Sequence, residues 1–416
     1  MAPKKPTLTS KALQALLMRI GSASSGTKST LLQRFQRELP RSYNFEPQPA
    51  QKTPQPEPWS RKKRLMSIDM GIKNLAFCDA EISYPASAAK SKQSLDASMN
   101  VLRWKKLDLV EGTRARNGQS ALINTEENAG AAEEDTSQFS PYVLSKTAYR
   151  FITEEVLSVN PDVVLIEKQR WRSGGGSAVQ QWTVRVNTLE AMLWAILETV
   201  KRTRQSSVTE RKARTTKDFE VRAVDPKRVG QYWLSQHAKA LEEREEEALV
   251  HDISAFWKSA EEPDDLEDET DAKATKKPSR SKAEKSAKIA ILRSWLAGDA
   301  MSTIPSTPSS MPHITFSIDP GAESTRQALM PKVKAVRRKK TSKTSNMDVE
   351  LVEDMPAAEI KKLDDITDCF LQAAAWVAWE SNRGQLLGVS GGGIRKDLST
   401  MDEERILKVI EEIGGL

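Results

Sequence analysis

Apolar and polar positions along this 416-residue chain follow a few distinct rhythms, and each predicts a different element. Leu65–Ser83 reads as a strand hairpin that turns near Gly71-Ile72-Lys73-Asn74. Val101–Val110, with Leu102, Trp104, Leu107 and Leu109 in imperfect alternation, predicts a third strand. The unbroken apolar run Val163-Val164-Leu165-Ile166 inside Asp162–Glu167 predicts a strand covered on both faces. Helical spacing is found over Tyr142–Val159, Ala283–Leu296 and Leu363–Trp379. Ala178–Val200 is a further helix, with Val179, Trp182, Val186, Leu189, Leu193 and Ile196 on one stripe, more suited to the core than to a dimer contact. Phe219–Val224 is another strand, and Pro226 is placed to open a helix at its first turn. Three antiparallel strands followed by alternating helix and strand make a mixed α/β sheet with flanking helices, not a bundle or sandwich.

Between these elements the rhythm stops. Residues 111–140, 203–218, 258–288 and 322–358 are polar, charged and poor in large apolar side chains, so they are expected as solvated insertions. All ten tryptophans lie outside them, which marks where the core should be. Pro47, Pro49, Pro54, Pro56 and Pro58 make residues 46–60 a stiff linker. The expected layout is therefore a basic segment over 1–45, the linker, a main domain over 61–390, and a tail over 391–416 with a short helix. In the first segment Leu13, Leu16, Leu17 and Ile20, then a turn around Gly26, then Leu31, Leu32 and Phe35 predict two short helices. No acidic residue precedes Glu38, which suits either an import signal or a nucleic-acid-binding hairpin.

Composition narrows the function. With 38% hydrophobic and 29% charged residues and a mean hydropathy of -0.54, much of the chain must face water. No run of about eighteen apolar residues exists, so no membrane-spanning helix is expected. Two cysteines, Cys78 and Cys369, and three histidines rule out a disulfide framework and make zinc chemistry a poor expectation. The net charge of +6 is modest, but its blocks of like sign favour a polyanionic partner.

Three places put carboxylates where burial is costly. Asp69 ends the apolar strand Leu65-Met66-Ser67-Ile68, where it either caps the turn or needs a compensating cation. Glu167 ends the buried strand and precedes Lys168-Gln169-Arg170-Trp171-Arg172 and a glycine loop. That arrangement suits an acid that holds a metal beside cations that grip phosphates and a tryptophan that stacks on a base. Asp364, Asp365 and Asp368 share about 100° of one helix face, opposite Ile366, Phe370, Ala373, Ala374 and Val377. Alone, they equally suit a helix N-terminus. Together, acids from separate segments are the donor set that Mg²⁺, or Mn²⁺ in its place, prefers for phosphodiester hydrolysis. Their order over strand, strand and helix is that of an RNase H-like site.

Ser67–Ala76 resembles the first strand of the fungal mitochondrial Holliday-junction resolvases, cruciform-cutting endonucleases related to bacterial RuvC. Ile166–Ser173 with Gln181–Leu193 is similar to their second block, and Lys361–Asp368 to their last acidic block. The basic N-terminus resembles a SAP motif, which holds DNA through its backbone. The resemblance implies an RNase H-like sheet and a mitochondrial homodimer that nicks four-way DNA junctions symmetrically with two metal ions, in recombination. It carries metal and catalytic roles to Asp69, Glu167, Asp368 and Asp365, with Asp364 the alternative if an i,i+4 pairing applies. Phosphate contacts fall to Lys73, Lys168, Arg170, Arg172 and Arg185, with Trp171 beside a base. A nuclease for another DNA or RNA structure, or a DNA-binding protein that has lost cleavage, are the competing readings.

Overall fold

A computed structural model describes residues 7–41, 62–84, 97–109, 139–169, 177–210, 218–242, 280–297, 314–330, 357–389 and 403–412. Among them are the strands β1 (Lys63–Asp69), β2 (Leu75–Ser83), β3 (Ala97–Leu107), β4 (Val163–Glu167), β5 (Glu220–Val224) and β6 (Ile314–Ile318). They form one six-stranded sheet in the order β5-β4-β1-β2-β3-β6. β2 runs antiparallel to β1 and β3, whereas β4 is parallel to β1, β5 to β4 and β6 to β3. Without β6, the order 3-2-1-4-5 with only the second strand reversed is the RNase H-like topology.

The period-two side-chain alternation explains why this sheet sits in the middle of the molecule. Leu65, Val163 and Leu165 enter one apolar core, while Met66, Ile68, Val164 and Ile166 enter the other. The second core is closed by α3 (Pro141–Arg150), which continues as a π-helical turn over Phe151–Val156, and by α4 (Ser177–Glu210). The first is closed by α5 (Pro226–Glu242), α6 (Arg280–Leu296), α7 (Pro320–Leu329) and α8 (Ala357–Val389). α8 lies across the sheet and is pinned by three side chains. Trp104 Nε1 donates to the Ile366 carbonyl at 2.8 Å, Trp233 Nε1 to Leu371 at 2.9 Å, and Gln372 Nε2 to Ile68 at 3.2 Å.

Several expectations need correction. The stretch 322–358 contains most of α7, whose Ala322 and Leu329 are fully buried. The stretch 258–288 contains the start of α6, and α4 runs on to Glu210. The third strand begins four residues early, at Ala97. Trp182 is not on the buried stripe of α4; it is 38% exposed, edge-on to Phe139. β6 was not foreseen, because its five residues stand alone between polar stretches.

The two N-terminal helices are present as α1 (Ser10–Arg19) and α2 (Lys28–Glu38), capped by Thr9 and Thr27. Their apolar faces form a third core with Leu386 of α8 and with Ile406 and Val409 of α9 (Glu403–Glu412). Arg19, buried, donates to Asn382 Oδ1 at 3.1 Å and Gln385 Oε1 at 2.9 Å. Gly21 has φ +68°, and a Cβ there would stand 2.2 Å from the Trp379 ring, so only glycine allows this seat. The hairpin is thus docked on the main domain. No helix among the described residues is long and apolar enough to cross a membrane.

Candidate active site

Asp69 and Glu167 end neighbouring parallel strands. Ile68 pairs with Ile166, so the next step of the ladder brings the two acids side by side at one edge of the sheet. Glu167 Oε2 accepts from the Met70 amide at 3.4 Å and from Gln169 Nε2 at 3.2 Å. Asp69 is only 8% exposed. Burial, then the charge of Glu167 and a hydrogen bond between the two carboxyl groups, then the charges of Asp368 and Asp365, raise its proton affinity well above the ordinary carboxylate range.

The late aspartates come from the third and fourth turns of α8, not from its N-terminus as their spacing also allowed, and Trp104 and Gln372 hold this part of the helix against β3 and β1. Each is tied to a lysine. Asp365 Oδ2 accepts from Lys106 of β3 at 2.5 Å, Asp368 Oδ1 from Lys288 of α6 at 3.1 Å, and Asp364 from Lys285. Burial, opposed by Lys288 and assisted by Asp364 and Glu167, pushes Asp368 up to about 6. Burial also raises Asp365, against the pull of Lys106. Burial alone would lower Lys288, but the charges of Asp368, Glu284 and Asp364 outweigh it and hold its ammonium above the ordinary lysine range. The neighbourhood of Asp69 therefore carries more negative charge than its lysines offset.

The expected residues sort clearly. Glu167, Asp368 and Asp365 act electrostatically on Asp69, while Asp364, buried and paired with Lys285 of α6, acts on Asp365 and Asp368. Lys73 stands exposed on the β1–β2 turn, its Nζ 5.8 Å from the Phe139 ring centre, and Arg185 of α4 lies 4.3 Å over the same ring. Lys168 is exposed beside Glu167, its amide donating to Val224 at 2.8 Å. Arg170, Trp171 and Arg172 fall outside the described residues.

Other residues here were not singled out by the sequence. Lys285 and Lys288 sit one turn apart on α6, within a stretch that reads as a charged insertion. Lys106 lies on β3 with only its strand position to distinguish it. Glu190 of α4 accepts from the Gln169 amide at 3.4 Å, and burial raises its carboxyl beside Glu167. Its helical register with Val186 and Leu193 was the available signal.

The donor set suits a hard divalent cation. Carboxylate oxygens are the preferred ligands of Mg²⁺ and Mn²⁺, and such an ion would relieve the repulsion that raises Asp69. Among the described residues no three acidic, histidine or cysteine side chains stand close enough to ligate one ion as they are. Lys106 and Lys288 each hold one oxygen of the late aspartates.

Comparison with known proteins adds four findings. Residues 65–386 match the profile of a family described as mitochondrial resolvase Ydc2 / RNA splicing MRS1. A 139-residue stretch is 29% identical to the mitochondrial cruciform cutting endonuclease 1 of Schizosaccharomyces pombe, over 33% of this chain and 43% of that protein. The aligned part thus spans less than half of that relative. A crystal structure of the yeast mitochondrial Holliday junction resolvase Ydc2 aligns with 95% of this chain and 99% of its own, at 19% identity and TM-score 0.43. A Thermus thermophilus RuvC structure aligns with 40% of this chain and 67% of its own, at 15% identity and TM-score 0.18.

Proposed function

Because the chain belongs to the mitochondrial resolvase Ydc2 / RNA splicing MRS1 family, we propose that it is a mitochondrial endonuclease that resolves four-way DNA junctions in recombination. The observation that carries this reading is the meeting of Asp69 and Glu167 at one sheet edge with Asp365 and Asp368 brought over it by α8. Those four side chains would hold Mg²⁺, which supplies Lewis-acid activation of water and neutralises charge on the departing 3′-oxygen. No protein nucleophile is required, which agrees with cysteines that are fully buried, their thiols raised by burial.

The chain's own groups account for the remaining tasks. Gln169 and the Met70 amide fix the Glu167 carboxylate, and Gln372 fixes the end of β1. Lys288 and Lys106 hold Asp368 and Asp365 in orientation. Lys73, Lys168 and Arg185, with Arg170, Trp171 and Arg172 that follow in the sequence, grip the substrate strand by phosphate and stacking contacts. A homodimer would present two such sites to symmetry-related arms and so cut in pairs.

The test is cleavage of a synthetic four-way junction with Mg²⁺, in competition with linear duplex at fixed salt. Paired nicks in the junction, absent in Asp69→Asn while junction binding persists, is the expected result. The lysine on every late aspartate favours a second reading, nucleic-acid binding without cleavage. Junction binding with no nicks at any Mg²⁺ or Mn²⁺ concentration would establish that reading instead.

A further inference from the structure

Farther along α8 lies a second polar cleft, of about 220 Å³, lined by the α1–α2 turn at Gly21, the end of β5 at Val224, and Trp376 and Trp379 of α8. Six arginines line it, Arg34, Arg37, Arg41, Arg222, Arg228 and Arg383, against two acids, Glu38 and Glu380. They come from the hairpin, β5, α5 and α8, so the concentration of charge exists only because the hairpin docks here. Two donors of the lining side chains, Nε1 of Trp379, a residue 5% exposed, and Nε of Arg383, have no acceptor among the described residues, but both atoms are sealed from solvent and lie behind the cleft wall. Buried N–H groups are rarely left so, because nothing repays their loss of water.

The other guanidinium bonds hold the wall in place. Arg383 donates to Glu380 at 2.7 Å and to the Ile20 carbonyl at 2.6 Å, Arg228 to the Gly21 carbonyl at 3.2 Å, and Arg34 to the Ala23 and Ser25 carbonyls at 2.7 Å. At the rim, Arg37 and Arg41 share Glu38 and are 61% and 58% exposed. A ligand that satisfies this surface must be anionic and offer several acceptor oxygens at once. Phosphate meets both needs; an apolar group would desolvate the rim guanidinium groups without pairing them, and a cation meets a surplus of positive charge.

The cleft stands on the same sheet edge as the carboxylates, since Val224 pairs with Glu167 in parallel register. Along α8, Arg383 is about 22 Å from Asp368 at about 1.5 Å per residue. Measured along a duplex axis, that distance is roughly six base-pair steps. We propose that the cleft binds a backbone phosphate of the DNA being cut, about half a helical turn from the scissile bond. Arg37 and Arg41 at the rim are its main donors, with Arg34, Arg222, Arg228 and Arg383 lining the wall behind them. The identity of the polymer rests on the function proposed above.

The test measures binding of a fluorescent four-way junction to the full chain, without divalent metal, across a salt series. Arg37→Gln with Arg41→Gln should weaken binding roughly tenfold or more and lower the slope of log K against log salt by about one to two. Arg222→Gln, which removes a part-exposed charge on the β5 side of the cleft, should weaken binding severalfold and lower the slope by about one. Wild-type affinity and slope in both variants, while the wild type binds and cuts junctions, overturns the proposal and leaves the resolvase reading standing. Loss of affinity in the variants of a wild type that binds but never cuts supports the cleft and removes the resolvase reading. Thermal stabilisation by inorganic phosphate that Arg222→Gln abolishes, with junction binding untouched, assigns the cleft to a free phosphate and overturns the proposal.

Discussion

Asp69 and Asp79 occupy neighbouring strands of one sheet and are both nearly sealed from water, at 8% and 0% exposure, yet their surroundings are opposite. Asp79 receives Arg64 through Nε and Nη2 at 2.8 and 2.9 Å and Arg103 at 2.7 Å, and Arg103 reaches on to Glu155 at 3.1 Å. Asp69 faces Glu167, with Asp368 and Asp365 beyond. One buried acid has its counter-charge supplied by the fold; the other is surrounded by further acids. A fold tolerates the second arrangement where something outside the chain completes it, which is the physical mark of a functional site.

The contrast is broken most severely at Asp69. Asp69→Asn keeps the side chain's shape and removes one of the crowded charges. Junction cleavage should fall by about a thousandfold or more, equivalent to roughly 4 kcal/mol of transition-state stabilisation. The thermal midpoint of the metal-free protein should stay level or rise, because a repulsion has been relieved. A clear drop in that midpoint would mean that Asp69 serves the fold and not the chemistry.

Asp79→Asn should show the reverse. It leaves two arginines, partly exposed, around a neutral side chain, and unfolding in denaturant should report a loss of about 2–3 kcal/mol. Cleavage per folded molecule should be retained. Unchanged stability would show that solvent already screens the Arg64 and Arg103 pairs.

Local patterning does not separate these two aspartates, since both interrupt apolar strands in the same hairpin; only the family resemblance over Ser67–Ala76 favours Asp69 over Asp79. What distinguishes them is the partner strand and helix, and long-range pairing has no local signature. The strand Val163–Ile166 was legible because burial on both faces writes an unbroken apolar run. The late aspartates were legible because helix periodicity sets them opposite Ile366, Phe370 and Ala373. α7 was not, because only Ala322 and Leu329 of its ten residues are buried and Glu323, Arg326 and Gln327 bond among themselves at the surface. Lys285 and Lys288 were lost for a related reason: a helix that buries part of its charged face against an acidic site has the composition of a solvated insertion.

A divalent cation should act on the two regions differently. Mg²⁺ at ten times its dissociation constant stabilises a folded site by about 1.4 kcal/mol. Wild type and Asp79→Asn should both gain this in thermal melts, and Asp69→Asn should not. The pH dependence sharpens the point. Asp368 is pushed up to about 6, so the folded protein binds that proton more tightly than the unfolded chain, whose aspartates titrate near 3.8. Metal-free stability should therefore decline as pH rises from about 4 to 6, and Asp368→Asn should flatten that decline.

The smallest effect concerns cations rather than acids. Arg64 and Arg103 are used up by Asp79, whereas Lys73, exposed on the β1–β2 turn, leans on the Phe139 ring that also carries Arg185. A cation resting on an aromatic face keeps most of its charge available to a phosphate, and the ring limits the freedom it loses on binding. Lys73→Gln should weaken junction binding by less than tenfold and reduce the salt slope by about one. It should leave the thermal midpoint where it is, since no ion pair of the core is touched. A fall in midpoint with no change in salt slope would place Lys73 with the arginines of Asp79, as a support of the hairpin rather than a hand on the substrate.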